Sequence, residues 1–225
     1  MGKTKLPLPV KLIVGMISGE ENLFDEVEKQ LSQKFGSIDF KSPILSFHYT
    51  NHYEKEMGGD LKRKFISFQN LIDPAKIVEI KLFTNQLEKN FLYSHSNQVT
   101  PSPFPLPSGE RIKVRGKRKF LYYQLKENFS SPNSPHRRIN LDPGYLTLSK
   151  LVLATTKNFQ HRIYLRKGIY AEITLKFKKG RGFEPWEWTY PDYKSKEYLK
   201  IFNHLREIYN HQILNLDSTI LSPSP

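Results

Sequence analysis

Thr155-Thr-Lys-Asn-Phe-Gln-His-Arg162 gathers two hydroxyls, an ammonium, an imidazole and a guanidinium in one short stretch. Such a set can cradle a phosphate: Arg162 offers a planar fork for two oxygens, Lys157 a point charge, and Thr156 and His161 further donors. The same residues have a structural reading. Thr155 and Asn158 suit a helix C-terminus, Lys157 answers its dipole, and Glu172 can account for Arg162 across a hairpin. Asn140, Asp142 and Tyr145 can supply a carboxylate and a phenol to a metal or a sugar hydroxyl, although an Asp-Pro-Gly turn also uses its carboxylate on its own backbone.

Two further groups, Tyr53 with Glu56 and Lys81 with Thr84, Asn85 and Glu88, can converge at strand ends, where open sheets with flanking helices bind ligands. Asn85 and Glu88 serve equally as a helix cap and its capping-box partner. If the chain is an enzyme, His161 or Glu56 is the candidate general acid or base. Trp186, Trp188 and Tyr190 can stack a base or close a core.

Several chemistries are excluded. There is no cysteine, so disulfides, thiol nucleophiles and Cys-ligated metals are absent. His48-Tyr-Thr50 matches one H-x-T element of the two-histidine phosphoesterases, whose chemistry needs two. His48, His52 and Glu56 have helical spacing, but His48 falls on an expected strand, so no metal site is assigned. Gly109 and Gly116 have six residues between them where a P-loop requires about four, and there is no Asn-Lys-x-Asp string. No cofactor is named by any motif.

These side chains must be positioned by a chain of 225 residues, 38% hydrophobic, long enough for one good-sized core. Its formal charge of +13 favours anionic partners such as a nucleotide or RNA. The run Leu12 to Ile17 is far short of the roughly 20 residues of a membrane span, so no membrane is expected and the cytoplasm is the default compartment.

Val10 to Ile17 reads as a buried strand. Ser18-Gly-Glu-Glu21 fits a capping box before a helix with Leu23, Phe24, Val27, Leu31 and Phe35 inward, stopped by Gly36. A second strand is expected over Pro43 to Thr50, then a helix from about Glu54 with Met57, Leu61, Phe65 and Phe68 buried. Val78, Ile80 and Leu82 alternate as a strand, followed by a short helix over Asn85 to Tyr93.

Residues 94–136 break the pattern with repeated prolines and serines and a basic run from Arg111 to Lys119, which contributes a large part of the positive charge. They read as a disordered insertion. Beyond it, Arg138 to Leu141 is a short strand ending in a turn at Asp142-Pro-Gly-Tyr145, and Thr147 caps a helix with Leu148, Leu151, Val152 and Ala154 inward. Two alternating runs around Gly168 form a hairpin. A three-residue loop there pairs Ile163 with Ala171, Tyr164 with Tyr170 and Arg162 with Glu172, keeping the apolar faces in register. A helix capped by Ser195 closes the chain with Leu199, Phe202, Leu205 and Ile208 inward, and 214–225 is a frayed tail.

TNHYEKEMG (50–58), KLFTNQLE (81–88), INLDPGYLT (139–147), LATTKNFQHRIYLRKGIYAE (153–172) and WTYPDY (188–193) together resemble the prokaryotic family known as domain of unknown function 4416. The resemblance spans about 9–93 and 137–210. Family members look like single domains of about 180 residues, the length left when 94–136 is removed. The Pro-rich, Gly-Glu-Arg-containing string in that segment resembles a dispersed bacterial repeat read in frame. A GTP-binding label carried by some members finds no P-loop here.

The expected architecture is α+β with an α/β-like start: one domain formed by 1–93 and 137–213, with a mixed β-sheet, flanking helices and a C-terminal helix. Three functional classes follow. The first is binding of a phosphate-bearing ligand, nucleotide or RNA, through Lys157, His161 and Arg162 with Asp142, Tyr145, Thr156, Tyr53, Lys81 and Asn85. The others are an enzyme on such a substrate, and a scaffold without a small-molecule ligand.

Overall fold

The computed structural model describes residues 2–49, 53–92 and 137–221. The expected insertion at 94–136 and His52 lie outside the described residues. The described residues other than Leu92 belong to one compact unit.

The buried run Val10–Ser18 is β1. It leads into α1, Asn22–Phe35, which presents Leu23, Phe24, Val27 and Leu31 inward and ends at Gly36, where φ is +97°. Ser18 accepts a bond from the Glu20 backbone at 2.9 Å, but α1 has no side-chain cap. Then come β2 (Ile38–Lys41), β3 (Leu45–Ser46), the short α2 (Glu54–Met57) and β4 (Lys62–Ile72). A 3-10 turn at Pro74–Lys76, with Asp73 accepting from the Ala75 N–H, opens α3, Ile77–Asn90. After the undescribed stretch come β5 (Ile139–Leu146), β6 (Lys150–Thr155), β7 (Ile163–Arg166), β8 (Ile169–Lys178) and β9 (Gly182–Pro185). A 3-10 turn at Asp192–Lys194 leads to the long helix α4, Lys196–Leu221.

Among the described residues, nine strands form one sheet ordered β2-β4-β1-β5-β6-β8-β7, with β3 beside β4 and β9 beside β8. The first part, β1-α1-β2-β4-α3-β5 with strand order β2-β4-β1-β5, is the β-α-β-β-α-β arrangement of ferredoxin-like folds. Its two helices pack on one face: Leu23, Phe24, Val27 and Leu31 of α1 and Ile80 and Leu87 of α3 meet Leu12, Val14, Met16, Ile139 and Leu141. The opposite face takes α4, where Tyr198, Phe202, Leu205 and Tyr209 cover Ile13, Phe65, Leu146, Leu151, Leu153 and Leu175. Buried Lys11 ties the layers, its Nζ donating to Asp39, the Phe68 carbonyl and Gln212 of α4.

The α+β class is as expected, and among the described residues each strand pairing is antiparallel where a mixed sheet was expected. After α1 the chain does not return beside β1. Instead β4 lies between β1 and β2.

Four local expectations are corrected. The helix from Glu54 stops at Met57, because Gly58 and Asp60 take positive φ, and Phe65 and Phe68 lie on β4. β4 is buried on both faces from Arg63 to Phe68, so its alternation is hidden. Val78 to Leu82 belongs to α3, where Ile77, Val78, Ile80, Lys81, Thr84, Leu87 and Glu88 form the buried stripe. Asp142-Pro-Gly-Tyr145 is no turn but the body of β5. The helix after Thr147 is β6, joined to β5 by a tight turn in which Thr147 N–H donates to the Lys150 carbonyl.

The hairpin register is as expected, Ile163 with Ala171 and Tyr164 with Tyr170. It is reached differently: Lys167 and Gly168 form a two-residue turn, both with positive φ, and an irregularity between Tyr164 and Arg166 restores the alignment. Ser195 caps α4 through its Oγ to the Tyr198 N–H at 3.2 Å.

Gly144 sits opposite Leu153 in the last β5–β6 pair, where a Cβ would stand 2.7 Å from Leu153 Cδ2 and against the Val152 carbonyl. Gly144→Ala is expected to lower stability by about 1–3 kcal/mol through overpacking. Urea unfolding would show this as a shifted midpoint with an unchanged slope.

Candidate functional site

The pairing of β5 with β6 covers only Gly144–Leu146, whereas β5 pairs with β1 from Ile139 to Leu146. The two strands therefore part toward the β5 N-terminus. The sequence makes this parting inexpensive. Leu141 N–H faces away from β1, and two residues on, where the next outward donor would stand, is Pro143, which has none. The open edge is satisfied from α3: Lys81 Nζ donates to the Leu141 carbonyl at 2.8 Å, and Leu141 N–H donates to Glu88 Oε1 at 2.6 Å. Lys81, Asn85 and Glu88 lie at helical spacing on α3, and the half-buried Asn85 is one turn beyond Lys81.

Asp142 stands at this notch. Arg63 Nη1 donates to its Oδ2 at 3.0 Å and Asn140 Nδ2 at 2.8 Å. Arg63, 2% exposed, also donates from Nη2 to Asp192 at 2.9 Å, and rings of Phe47, Phe65 and Tyr193 surround its guanidinium. Gly15 makes the space, since a Cβ there would lie 2.9 Å from Arg63 Nη1. Arg137, where the described chain resumes, donates to Glu88, Asn140 and the Ile139 carbonyl and lies 3.8 Å from Glu56.

The charges of these groups act on one another's ionisation. Burial works against the Asp142 charge, but Arg63 and then Lys81 outweigh it and hold the carboxyl below its usual range. For Lys81, burial lowers the ammonium's pKa, Asp142 and Glu88 oppose, and Arg137 and Lys157 push it down further. Burial, then the Asp142 charge, raises the pKa of the Tyr53 phenol, and the charges of Arg63 and Arg137 oppose them. The structure thus brings Lys81 and Asp142 of the expected residues together at β5, sets Tyr53 against Phe47 beside Arg63, and joins Lys157 to Tyr190 through Arg162. It adds Arg63, Asn140, Arg137 and Tyr190.

Other expected residues are placed elsewhere or committed. Tyr145, three residues from Asp142 on the same strand, points to the opposite face and packs with Ile77, Val78, Ala154 and Ile169. Thr156 is exposed on the loop after β6. Arg162 Nε donates to Glu172 at 2.7 Å, Nη1 to the Lys157 carbonyl at 3.0 Å, and Nη2 to the Tyr190 hydroxyl. His161 Nε2 lies 3.2 Å from Glu172, while its buried Nδ1 meets no hydrogen-bond partner among the described residues. His161 and Arg162 therefore fix the loop 157–162 onto β8. Glu56, half exposed beside Arg137, is at the rim.

The aromatic residues form a closed ladder. Trp188 is stacked between His161 (5.7 Å) and Trp186 (5.0 Å), and Lys176 lies 4.0 Å from the Trp186 ring centre. The ladder holds the strip 186–190, with Trp188 Nε1 donating to the Ile173 carbonyl and Thr189 Oγ1 to that of Thr174. It leaves Tyr190, 45% exposed, as the open ring beside Arg162. Arg63 and Asp192 carried no sequence signal, being a basic residue in a run that reads as helix and an acid in a turn. Among the described residues no group of His, Asp and Glu is placed to hold a metal, and no helix is long and apolar enough to cross a membrane.

A family model described as Domain of unknown function (DUF4416) matches residues 8–107 and 115–209, and the chain belongs to that family. The match takes in the notch and leaves out 108–114, inside the segment expected to be an insertion. No curated protein and no solved structure matches the chain.

Removing Arg63 would leave two carboxylates beside a dry aromatic wall. Arg63→Met is expected to cost about 3–5 kcal/mol in chemical unfolding. Asp142 has a depressed pKa in the folded state, so its ionic contribution is complete above the unfolded value near 3.8 and is lost as the pH falls through the lower native value. The destabilisation caused by Asp142→Asn should accordingly be present at neutral pH and shrink as unfolding is repeated at pH values below that point.

Proposed function

We propose that this family member binds a phosphate-bearing ligand, a nucleotide, in the notch where β5 and β6 part. The observation that carries this reading is the gathering of Lys81 and Arg137 at the parted edge beside Asp142, Lys81 donating to the Leu141 carbonyl and Arg137 to Asn140, which itself donates to Asp142. Arg63 and Asn140 hold the Asp142 carboxylate, which is left partly exposed, with its side chain 24% accessible. Lys81, Arg137 and Lys157 supply positive charge to an incoming phosphate, and the phenols of Tyr53 and Tyr190 supply hydroxyl donors. Asp142 suits a ribose hydroxyl better than a phosphate. The open face of Tyr190, steadied by Arg162, is suited to a flat base.

Isothermal titration of the full chain with pyrophosphate and with nucleoside triphosphates tests this. Saturable binding is expected, weakened about tenfold or more by Lys157→Ala, the loss of one charge-assisted contact at about 1.5–3 kcal/mol. The Lys157 side chain is exposed, so the melting temperature should stay unchanged. Absence of binding to every phosphate compound, or an undiminished affinity in the variant, rejects the notch as a phosphate site.

A further inference from the structure

At the end of the sheet away from the notch, cations gather where β6 begins and β8 ends. Leu175 and Phe177 turn toward the α4 side with Phe183, so Lys176 and Lys178 point to the other face. Lys150 lies directly across from Lys176 in the β6–β8 ladder. Two like charges opposed on neighbouring strands disfavour that pairing. The turn adds Lys179 and Arg181, both exposed. Lys150, Lys178 and Lys179 make no ion pair among the described residues, and Glu184, across from Lys176, lies 3.5 Å from Arg181.

The cations are presented from a fixed element. Gly180 and Gly182 take positive φ and make the turn tight. Asn203 of α4 accepts from the Phe183 N–H at 2.9 Å and fills the space a Cβ on Gly182 would need. Arg206 of α4 braces the same corner, its guanidinium 3.6 Å from the Phe177 ring centre and its Nε donating to the Leu148 carbonyl.

We propose that this corner binds the phosphate backbone of a nucleic acid through charge, without reading its sequence. The cations are spread over two strands and a turn, which suits a repeating anion better than a single phosphate. No exposed large hydrophobic side chain of the described residues falls in 147–151 or 175–185. The apolar anchors with which a surface enters a bilayer are thus missing at this corner. The proposal is independent of the notch.

The test is fluorescence anisotropy of a labelled single-stranded oligonucleotide with the full chain over a range of salt, comparing the parent with Lys150→Gln/Lys178→Gln/Lys179→Gln. The parent is expected to bind with a steep salt dependence. The triple variant, with its melting temperature retained, should bind at least about tenfold more weakly, and its log–log salt slope should be shallower by about 2, three contacts at roughly 0.7 each. Lys157→Ala should leave this binding intact. Unchanged affinity and slope in the triple variant would overturn the proposal and assign polyanion binding to the basic run 111–119. No binding by the parent, or binding only to phosphatidylglycerol vesicles, would overturn it as well.

Discussion

Arg63 carries a permanent charge in a place that water does not reach, and burying such a group is costly unless its donors meet acceptors. Asp142 of β5 and Asp192 ahead of α4 provide them, so one guanidinium fixes β4, β5 and the entry of α4 relative to each other. Gly15 on the intervening strand lets it pass, and the aromatic rings around it fill the space on its flanks. The same contact turns the Asp142 carboxylate toward the notch and keeps it ionised. The orientation of the candidate site and the seating of the C-terminal helix therefore rest on one buried cation.

The notch depends on a second constraint, that a sheet edge inside a protein must still have its backbone groups satisfied. Here β6 leaves β5 at Gly144, Pro143 removes one donor, and Lys81 and Glu88 supply a donor and an acceptor to Leu141. This is a stable arrangement in its own right, and it also places an ammonium between a helix and a carboxylate. On the far side, Glu172 holds His161 and Arg162 while the ring ladder from Lys176 to His161 fixes the strip ending at Tyr190. Two residues that look reactive in the sequence thus do positioning work, and the exposed groups they position are Lys157 and Tyr190.

Several elements were legible in the sequence because their signals are local. The first strand and helix, the hairpin register around Gly168 and the Ser195 cap follow from periodicity, turn chemistry and a hydroxyl at a helix start. The register was set by the pairing of apolar faces, and so it survived a different turn from the one expected. Lys81, Asp142, Tyr53 and Lys157 were identifiable as polar residues near strand ends, but nothing in their spacing tells which of them meet. A turn at Asp142-Pro-Gly-Tyr145 would set Tyr145 beside Asp142, whereas the straight run of β5 separates them.

By itself the sequence determined the α+β class, the absence of thiol chemistry, the basic character and the family, all properties of composition, period and local strings. Tertiary structure decided the rest. A strand buried on both faces loses its alternation, which is why β4 and β6 resembled helices. A Pro-Gly pair is equally at home in a turn and at the point where two strands part, and only the position of α3 beside β5 selects between them. Arg63, Asp142 and Asp192 are separated by scores of residues, so their meeting is a consequence of the strand order and leaves no trace in any one stretch of sequence.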